Sequence, residues 1–502
     1  MSDVPFMPVP VHVEDREGAP FRLAPGVRIV AGPDATAVST AVLVGSRIGR
    51  MAGLQLAVVQ EDDGRPGVLV LEIVDGLEAL GLDADLDPAL AQEAYRLDVT
   101  TDRITVSALH GAGLLRGVVT LQQLASPGAE NGTYDFAPVL VVDHPRYAWR
   151  GLAIDVARHF FGVETIKALL TLMASLKLNV LHLHLTDDQG WRLEVPSRPA
   201  LTEVSGVTAV DGDPGGWFTA QEYAEIVNFA ATRHIVVIPE IDVPGHVNAA
   251  LHAYGELTPS GEPTRAYTGI DVGFSRLDAS LPATGEFLND VLGDVAAMTP
   301  GPFVHIGGDE VLTMESTEYA ELVHRAMDEV TAAGKTVVAW QEVARVLAGG
   351  GRGAADGVVL QYWDERDGAE EMVRAARQGA RVVLSPASKV YLDMRYDEDT
   401  PVGLHWAGYV EVRDSYEWEP EHVLPLGPGE LLGVEAAIWS ETIRTQDDLF
   451  YLLLPRLAAV AEVAWSAPGR RSWEDFARRV PAHTDRWREA GLSWYPSPQI
   501  DW

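Results

Sequence analysis

The stretch Val304-His305-Ile306-Gly307-Gly308-Asp309-Glu310 indicates the fold of this 502-residue chain. The apolar run at 303–306 is too short for a helix and predicts a buried strand, and the two glycines allow a sharp turn after it. Two adjacent acids follow. They could complement the dipole of a following helix. They could also perform acid–base chemistry, because two desolvated carboxylates repel each other and one of them then keeps its proton near neutral pH.

Seven further strand-like runs surround this one, and amphipathic helices separate most of them. Thr219 and Glu222, for example, predict a capping box at the start of one helix. Eight strands alternating with helices predict a (β/α)8 barrel, the TIM barrel of α/β proteins, with its active site at the carboxyl ends of the strands. We expect this catalytic domain to span residues 146–502, including a C-terminal helical extension. The predicted strands are 152–156, 180–186, 235–241, 303–307, 336–340, 358–363, 381–385 and 433–439.

A smaller α+β domain is predicted for residues 1–145. Strands are expected at 54–59, 68–74, 95–100 and 104–108, followed by a helix at about 113–124. Asn131-Gly132 predicts a turn, although Asn131-Gly132-Thr133 also matches a glycosylation sequon.

Three other segments carry expectations. Residues 244–282 and 386–432 are rich in Gly and Pro and are predicted to be loops that shape the mouth of the barrel. Residues 449–465 are apolar but contain Pro455, Arg456 and Glu462, and they predict a core helix and not a membrane span.

The composition restricts the partners. A net charge of −35 disfavours binding to nucleic acid or to an anionic membrane, so a neutral substrate is expected. The absence of cysteine excludes disulfides, thiolate metal sites and a cysteine nucleophile. The first residues are neither basic nor followed by an apolar core. This pattern predicts a cytoplasmic protein for the sequence as given, or a secreted one if a leader has been removed.

A polar or aromatic residue ends or follows every predicted barrel strand. Acids can occur there by chance, but three tryptophans and a tyrosine at matching positions are harder to obtain. Aromatic faces cover the apolar surface of sugar rings and carboxylates accept from hydroxyls, so the pattern favours a sugar site. In strand order the residues are Arg158 and His159, Asp187 and Asp188, Asp242 and His246, Asp309 and Glu310, Trp340, Trp363, Tyr391 and Asp393, and Trp439 and Glu441.

The residues alone leave three alternatives open. A conventional glycosidase could use an enzyme nucleophile such as Glu342. A metal-dependent barrel hydrolase could use His182 and His184, which face the same way on one strand, with His246 and Asp309. A sugar-binding protein without catalytic activity could also use this scaffold.

Several ordered motifs resemble those of glycoside hydrolase family 20, the β-N-acetylhexosaminidases, and the resemblance covers nearly the whole chain. A small α+β domain before a catalytic barrel is also the fold of that family. The motifs are Asp155-Val156-Ala157-Arg158-His159-Phe160, His182-Leu183-His184-Leu185-Thr186-Asp187-Asp188-Gln189-Gly190-Trp191, Pro239-Glu240-Ile241-Asp242-Val243-Pro244-Gly245-His246 and His305-Ile306-Gly307-Gly308-Asp309-Glu310.

The resemblance implies an exo-acting, retaining enzyme that removes terminal N-acetylglucosamine, with N-acetylgalactosamine as a second candidate, from substrates such as chitooligosaccharides. It implies substrate-assisted catalysis through an oxazolinium intermediate, without a cofactor or metal.

The resemblance also implies a role for each site residue. Glu310 is the expected acid and base, Asp309 holds the acetamido N–H, and Tyr391 donates to the acetamido oxygen. Asp187 and His246 tune Glu310. The expected walls of the acetamido pocket are Trp340, Trp363 and Trp439, and the expected sugar-hydroxyl ligands are Arg158, Asp393 and Glu441.

Overall fold

The computed structural model describes residues 4–32, 34–129, 133–349 and 355–502. Its central feature is a closed barrel of eight parallel strands, β11 to β18, paired in chain order with β18 returning to β11. The predicted fold class is therefore confirmed. The strands are β11 (Trp149–Asp155), β12 (Val180–His184), β13 (Val236–Glu240), β14 (Phe303–His305), β15 (Thr336–Trp340), β16 (Val359–Tyr362), β17 (Arg381–Leu384) and β18 (Leu431–Ile438).

Helices follow most barrel strands and cover the outside of the barrel. The capping box predicted at the start of α6 is present, with the Thr219 side chain accepting from the Glu222 N–H. The helices are α4 (Val163–Ser175), α5 (Ala200–Ser205), α6 (Ala220–Ala231), α7 (Asn248–Ala253), α8 (Pro282–Met298), α9 (Ser316–Ala332), α10 (Ala344–Ala348), α11 (Ala369–Arg377), α12 (Ala387–Val390), α13 (Val412–Tyr416), α14 (Gln446–Leu453), α15 (Arg456–Trp465), α16 (Trp473–Arg479) and α17 (Thr484–Glu489).

Two sheets precede the barrel. A seven-stranded sheet has the order β1-β10-β6-β7-β5-β3-β4, and a three-stranded sheet has the order β2-β9-β8. The four strands and the helix expected here correspond to β4, β5, β6, β7 and α3. The strands are β1 (His12–Asp15), β2 (Phe21–Leu23), β3 (Arg28–Ala31), β4 (Ala57–Val59), β5 (Val68–Ile73), β6 (Tyr95–Val99), β7 (Arg103–Ala108), β8 (Ala125–Pro127), β9 (Tyr134–Phe136) and β10 (Val139–Asp143), and the helices are α1 (Ala35–Ala52), α2 (Pro88–Ala91) and α3 (Gly111–Leu124).

The other strands of this region were not predicted, because runs of three to five residues show too few alternations of polar and apolar residues. The predicted turn at Asn131-Gly132 lies outside the described residues.

Buried ion pairs join the first sheet to the barrel. Lys177, which follows α4, donates to Asp143 at the end of β10 across 2.8 Å. Arg150 of β11 donates to Glu93 across 2.6 Å. Removing one partner of such a pair leaves an uncompensated buried charge. These contacts therefore hold the sheet against the barrel at the amino-terminal ends of its strands.

Two sequence expectations need correction. The segment 449–465 is not one helix: α14 ends at Leu453 and α15 begins at Arg456, because Pro455 has no N–H for a helical hydrogen bond. The predicted mouth loops are not free of helix either, since the first contains α7 and the second contains α12 and α13. In the described ranges, no helix is both long and apolar enough to span a membrane.

Candidate active site

The two glycines after β14 place the paired acids. Gly307 and Gly308 have φ angles of 68° and 103°, and Glu310 itself has a φ of 49°. A Cβ on Gly307 would lie 1.8 Å from Oδ1 of Asp242, so only glycine fits there. The next helix, α9, begins only at Ser316, so the acids do not cap a helix and that alternative is wrong.

A cavity of about 240 Å³ lies at the carboxyl ends of the barrel strands. Three predicted site residues lie directly behind its lining, where they are buried: His246, Trp340 and Asp393. The other eight form part of the lining, so the fold brings all eleven together. These eight are Arg158, Asp187, Asp309, Glu310, Trp363, Tyr391, Trp439 and Glu441.

Asp187 connects Arg158 to His246. Its Oδ2 lies 2.9 Å from Nη2 of Arg158, and its Oδ1 lies 3.1 Å from Nδ1 of His246. The other ring nitrogen of His246, Nε2, lies 3.5 Å from Oε2 of Glu310 and 3.8 Å from Oδ2 of Asp309. One imidazole therefore faces both acids of the pair.

The charges of this group are set by one another. Burial opposes the ionisation of Asp187, but Arg158, His246 and His184 together outweigh it and hold the pKa of that carboxyl well below its usual range. Burial also opposes protonation of His246, but Asp187, Asp309 and Glu310 together outweigh it and raise the pKa of His246 well above 6.5. The imidazole beside Glu310 is therefore a cation at neutral pH.

Asp309 is paired with a second buried acid, Asp242. Burial and the charge of Asp309 raise the pKa of Asp242 well above its usual range, and burial raises that of Asp309 as well. Asp242 Oδ1 also accepts from the N–H of Gly308 across 3.0 Å. We assign the proton of the pair to Asp242, which leaves Asp309 as an anion that is held in place.

Aromatic rings form one side of the cavity. Trp363 and Tyr391 stack at 6.1 Å with an interplanar angle of 14°, and Trp439 lies 6.1 Å from Tyr391. Trp340 packs 5.9 Å from Trp439 and is only 1% exposed, so it supports the wall from below. Burial raises the pKa of Tyr391 well above its usual range, so its hydroxyl remains a hydrogen-bond donor.

Several buried polar atoms at this cavity have no hydrogen-bond partner within the described ranges. They are Nε of Arg158, Oδ1 of Asp309, both carboxylate oxygens of Asp393 and Oε2 of Glu441. Such atoms are rare in folded proteins, and a bound ligand can satisfy them. One donor and several acceptors around an aromatic wall match a ligand that carries both hydroxyl and apolar ring faces.

Sequence reasoning missed part of the lining. Trp406, Leu404, Arg366, Ile270 and Val272 also line the cavity. Trp406 packs edge-on against Tyr391 at 5.8 Å and is 45% exposed. Trp406 and Ile270 lie in the two segments that were predicted to shape the mouth of the barrel. Large apolar residues in these segments were the sequence signal that could have identified this part of the lining.

A second pocket, of about 540 Å³, lies next to the first. It shares Glu310, Trp363 and Arg366 with the first cavity and is otherwise lined by residues such as Tyr319 and Glu342. Burial and the nearby Asp309 raise the pKa of Glu342 to about 8, and Trp363 Nε1 donates to its Oε2 across 3.4 Å.

The pair His182 and His184 projects into the barrel interior, where His182 is buried and His184 also contributes to the cavity lining. Nδ1 and Nε2 of His184 lie 2.6 and 2.9 Å from carboxylates of Glu240 and Asp187. Burial opposes protonation of His184, but Glu240 and Asp187 together outweigh it and raise the pKa of His184 well above 6.5. Because a protonated imidazole has no free lone pair, this donor set favours internal hydrogen bonds over metal binding.

The fold and the cavity define a barrel enzyme with a sugar site, and comparison with known proteins agrees. The sequence model of "Glycosyl hydrolase family 20, catalytic domain" matches residues 147–468, and that of "domain 2" of the same family matches residues 3–144. A β-N-acetylhexosaminidase from Cellulomonas fimi is 50% identical, over 100% of this chain and 98% of the relative.

Two solved structures are also similar. The N-acetyl-β-hexosaminidase of Streptomyces plicatus is 39% identical, with a TM-score of 0.89 and coverage of 99% of this chain and 98% of that chain. The family 20 β-N-acetylhexosaminidase of Streptomyces coelicolor A3(2) is 39% identical, with a TM-score of 0.90 and coverage of 99% of both chains.

The chain therefore belongs to glycosyl hydrolase family 20, which confirms the family predicted from the motifs. It is a glycoside hydrolase of the β-N-acetylhexosaminidase class.

Proposed function

We propose that the enzyme removes terminal β-linked N-acetylglucosamine by substrate-assisted catalysis with retention of configuration. The observation that carries this proposal is the position of Asp309. Its side chain is only 13% exposed, its buried Oδ1 has no hydrogen-bond partner among the described residues, and it lines the same cavity as Tyr391 and Trp363. These three groups match an acetamido arm, with an acceptor for its N–H, a donor for its carbonyl oxygen and an apolar face for its methyl group.

In the proposed reaction the acetamido oxygen bonds to the anomeric carbon while the glycosidic C–O bond breaks. Glu310 gives its proton to the departing oxygen, and Asp309 stabilises the positive charge that develops on the acetamido nitrogen. The Glu310 carboxylate then takes a proton from water as the water oxygen attacks the anomeric carbon and the ring of the oxazolinium opens. Two inversions give net retention.

The two pockets that share Glu310 support separate places for the terminal sugar and the leaving group. The smaller cavity, of about 240 Å³, contains Asp309, Tyr391 and Trp363, the groups that match the acetamido arm. We therefore assign it to the terminal sugar and the larger pocket to the leaving group, as in exo cleavage. Structures of the Streptomyces plicatus enzyme contain the product GlcNAc, in agreement with a sugar of this kind.

Glu342 is a poor candidate for a conventional nucleophile. It lines the larger pocket and not the cavity assigned to the terminal sugar, and a pKa of about 8 leaves it mostly protonated at neutral pH. A protonated carboxyl is a weak nucleophile.

The test compares aryl β-glycosides of N-acetylglucosamine and of glucose, with a thiazoline mimic of the intermediate as inhibitor. We expect cleavage of the N-acetyl substrate only and strong inhibition by the thiazoline. Equal cleavage of both sugars without inhibition would show that an enzyme nucleophile acts instead. The matching N-acetylgalactosamine glycoside measures the second candidate sugar, and reducing-end-labelled chitooligosaccharides test the exo mode.

A further inference from the structure

A cluster of charged side chains fills the barrel interior, and one of them, His184, also lines the cavity. The side chains of His182, His184, Glu240, His305 and Glu435 are each at most 2% exposed. Barrel interiors are usually filled by branched apolar residues, and burying a carboxylate is costly unless it is paired. The proposed reaction gives these residues no role so far.

Glu240, the last residue of β13, makes the central contacts of this cluster. Its Oε1 accepts from the indole Nε1 of Trp340 across 2.7 Å. Its Oε2 lies 2.6 Å from Nδ1 of His184 and 3.0 Å from Nε2 of His182. The carboxylate therefore holds the ring that supports the aromatic wall and, at the same time, the imidazole nearest Asp187.

The contacts continue from His184 to the proton donor. His184 Nε2 lies 2.9 Å from Asp187 Oδ2, Asp187 Oδ1 lies 3.1 Å from His246 Nδ1, and His246 Nε2 lies 3.5 Å from Glu310 Oε2. Carboxylates and imidazoles alternate along this row. Burial opposes the charge of Glu240, but the surrounding imidazoles outweigh it and hold its pKa well below the usual range, so the buried end of the row is an anion.

We propose that Glu240 is a positioning residue that acts on both halves of the active site: it orients Trp340 below the acetamido pocket, and it orients Glu310 through His184, Asp187 and His246. The proposal rests on the proposed role of Glu310 as proton donor. It also gives the His182 and His184 pair a function as hydrogen-bonding partners of a buried carboxylate.

Other charged groups face this row and belong to any account of its pH dependence. Asp242 lies near both Glu240 and His246, and Glu435 of β18 contacts His182 across 2.9 Å. The groups facing the row are His182, His305, Glu435 and Asp242 around Glu240; Arg158, Asp188 and Glu441 around Asp187; Asp188, Asp242 and Asp309 around His246; and Glu342 and Arg366 around Glu310.

The test is Glu240→Gln, with Glu435→Gln as the matched control. Glu435 is an equally buried acid of the same cluster, but it accepts from Trp149 and Gln361 and contacts neither Trp340 nor Asp187 by hydrogen bonding. For Glu240→Gln we expect kcat on a substrate with a poor leaving group to fall about tenfold or more, with a much smaller loss on an activated aryl substrate. We also expect the thiazoline to bind more weakly, because Trp340 is no longer held.

The leaving-group dependence gives a readout that a merely structural role would not move. Because the row positions the proton donor, the loss of kcat is larger for poor leaving groups than for activated ones in Glu240→Gln and not in Glu435→Gln. Equal behaviour of the two variants, or an equal loss on both substrate types in Glu240→Gln, would overturn the proposal. If Glu240→Gln does not fold, His184→Gln tests the arm toward Glu310 by the same leaving-group dependence.

The proposed reaction itself can fail independently. That failure would be visible in the wild-type enzyme as thiazoline-insensitive cleavage of glucosides, whereas the role of Glu240 is decided by the variants.

Discussion

Asp187 accepts a hydrogen bond from Nδ1 of His246 across 3.1 Å, and this contact turns the other ring nitrogen of His246 toward Glu310, 3.5 Å away. Asp187 is held in turn by Arg158, which lines the cavity. The group assigned to bind the sugar and the group assigned to donate the proton therefore share one buried carboxylate. We therefore expect a substitution of Arg158 to affect proton donation by Glu310 as well as sugar binding.

Glu310→Gln tests the proton donor. The amide keeps the size of the side chain but has no proton to give, so turnover of chitooligosaccharides should fall by about 10²- to 10⁴-fold. Aryl substrates with acidic leaving groups need little protonation and should lose much less. Steady-state kinetics on both substrate types measures the difference, and unchanged rates on a chitooligosaccharide would refute the role.

Asp309→Asn tests the residue assigned to the acetamido N–H. The charge that it stabilises develops mainly in the transition state, so kcat should fall by about 10²- to 10³-fold while KM changes little. The neutral amide also removes the repulsion that keeps a proton on Asp242. An effect confined to KM would contradict the assignment.

Gly307→Ala tests the turn that presents the two acids. A Cβ there would overlap Oδ1 of Asp242, and the residue has a φ of 68°. Gly334 is a matched control, since its φ is 75° and nothing lies within 4 Å of its Cβ position. We expect Gly334→Ala to lower the free energy of unfolding by about 1 kcal/mol, the cost of the left-handed conformation alone.

Gly307→Ala should cost several times more than this and should abolish activity. Urea denaturation and an activity assay compare the two variants. Equal destabilisation would show that the overlap with Asp242 is relieved without cost.

Glu342→Gln tests the pH dependence of stability. The pKa of Glu342 is about 8 in the folded protein against an ordinary value of 4.5, so between these values the folded state binds the extra proton. The free energy of unfolding should therefore fall as pH rises from 4.5 to 8, by at most about 1.4 kcal/mol per pH unit. The His182 pKa of about 9, which Glu240 raises against the effect of burial, acts in the same direction between pH 6.5 and 9.

Replacing Glu342 by glutamine removes the contribution of this carboxyl group to the pH dependence of stability. The melting temperature of the variant should therefore decline less between pH 5 and 8 than that of the wild type. Glu398→Gln removes an exposed acid and should leave the slope unchanged. Parallel curves for the wild type and Glu342→Gln would refute the assignment of a buried proton to Glu342.

The sequence by itself determined the barrel, the family and the identity of the residues at the strand ends. The strands could be predicted because each is a short apolar run bounded by glycine or by a helical repeat, and such patterns are local. The paired acids after Gly307-Gly308 and the aromatic residues Trp340, Trp363 and Trp439 are local in the same sense, because Trp340 ends its strand and the others lie within a few residues of the end of theirs.

Only the tertiary structure decided which of these residues face the cavity and which lie behind it. Trp340 and Asp393 are buried, Trp406 is brought to the rim from a distant segment, and Glu342 lies in a second pocket. The assignment of the proton of the acid pair to Asp242, and not to Asp309, also depends on the fold. The reason is physical: burial and the distance between charges set proton affinity, and both arise only when strands far apart in the chain close into a barrel.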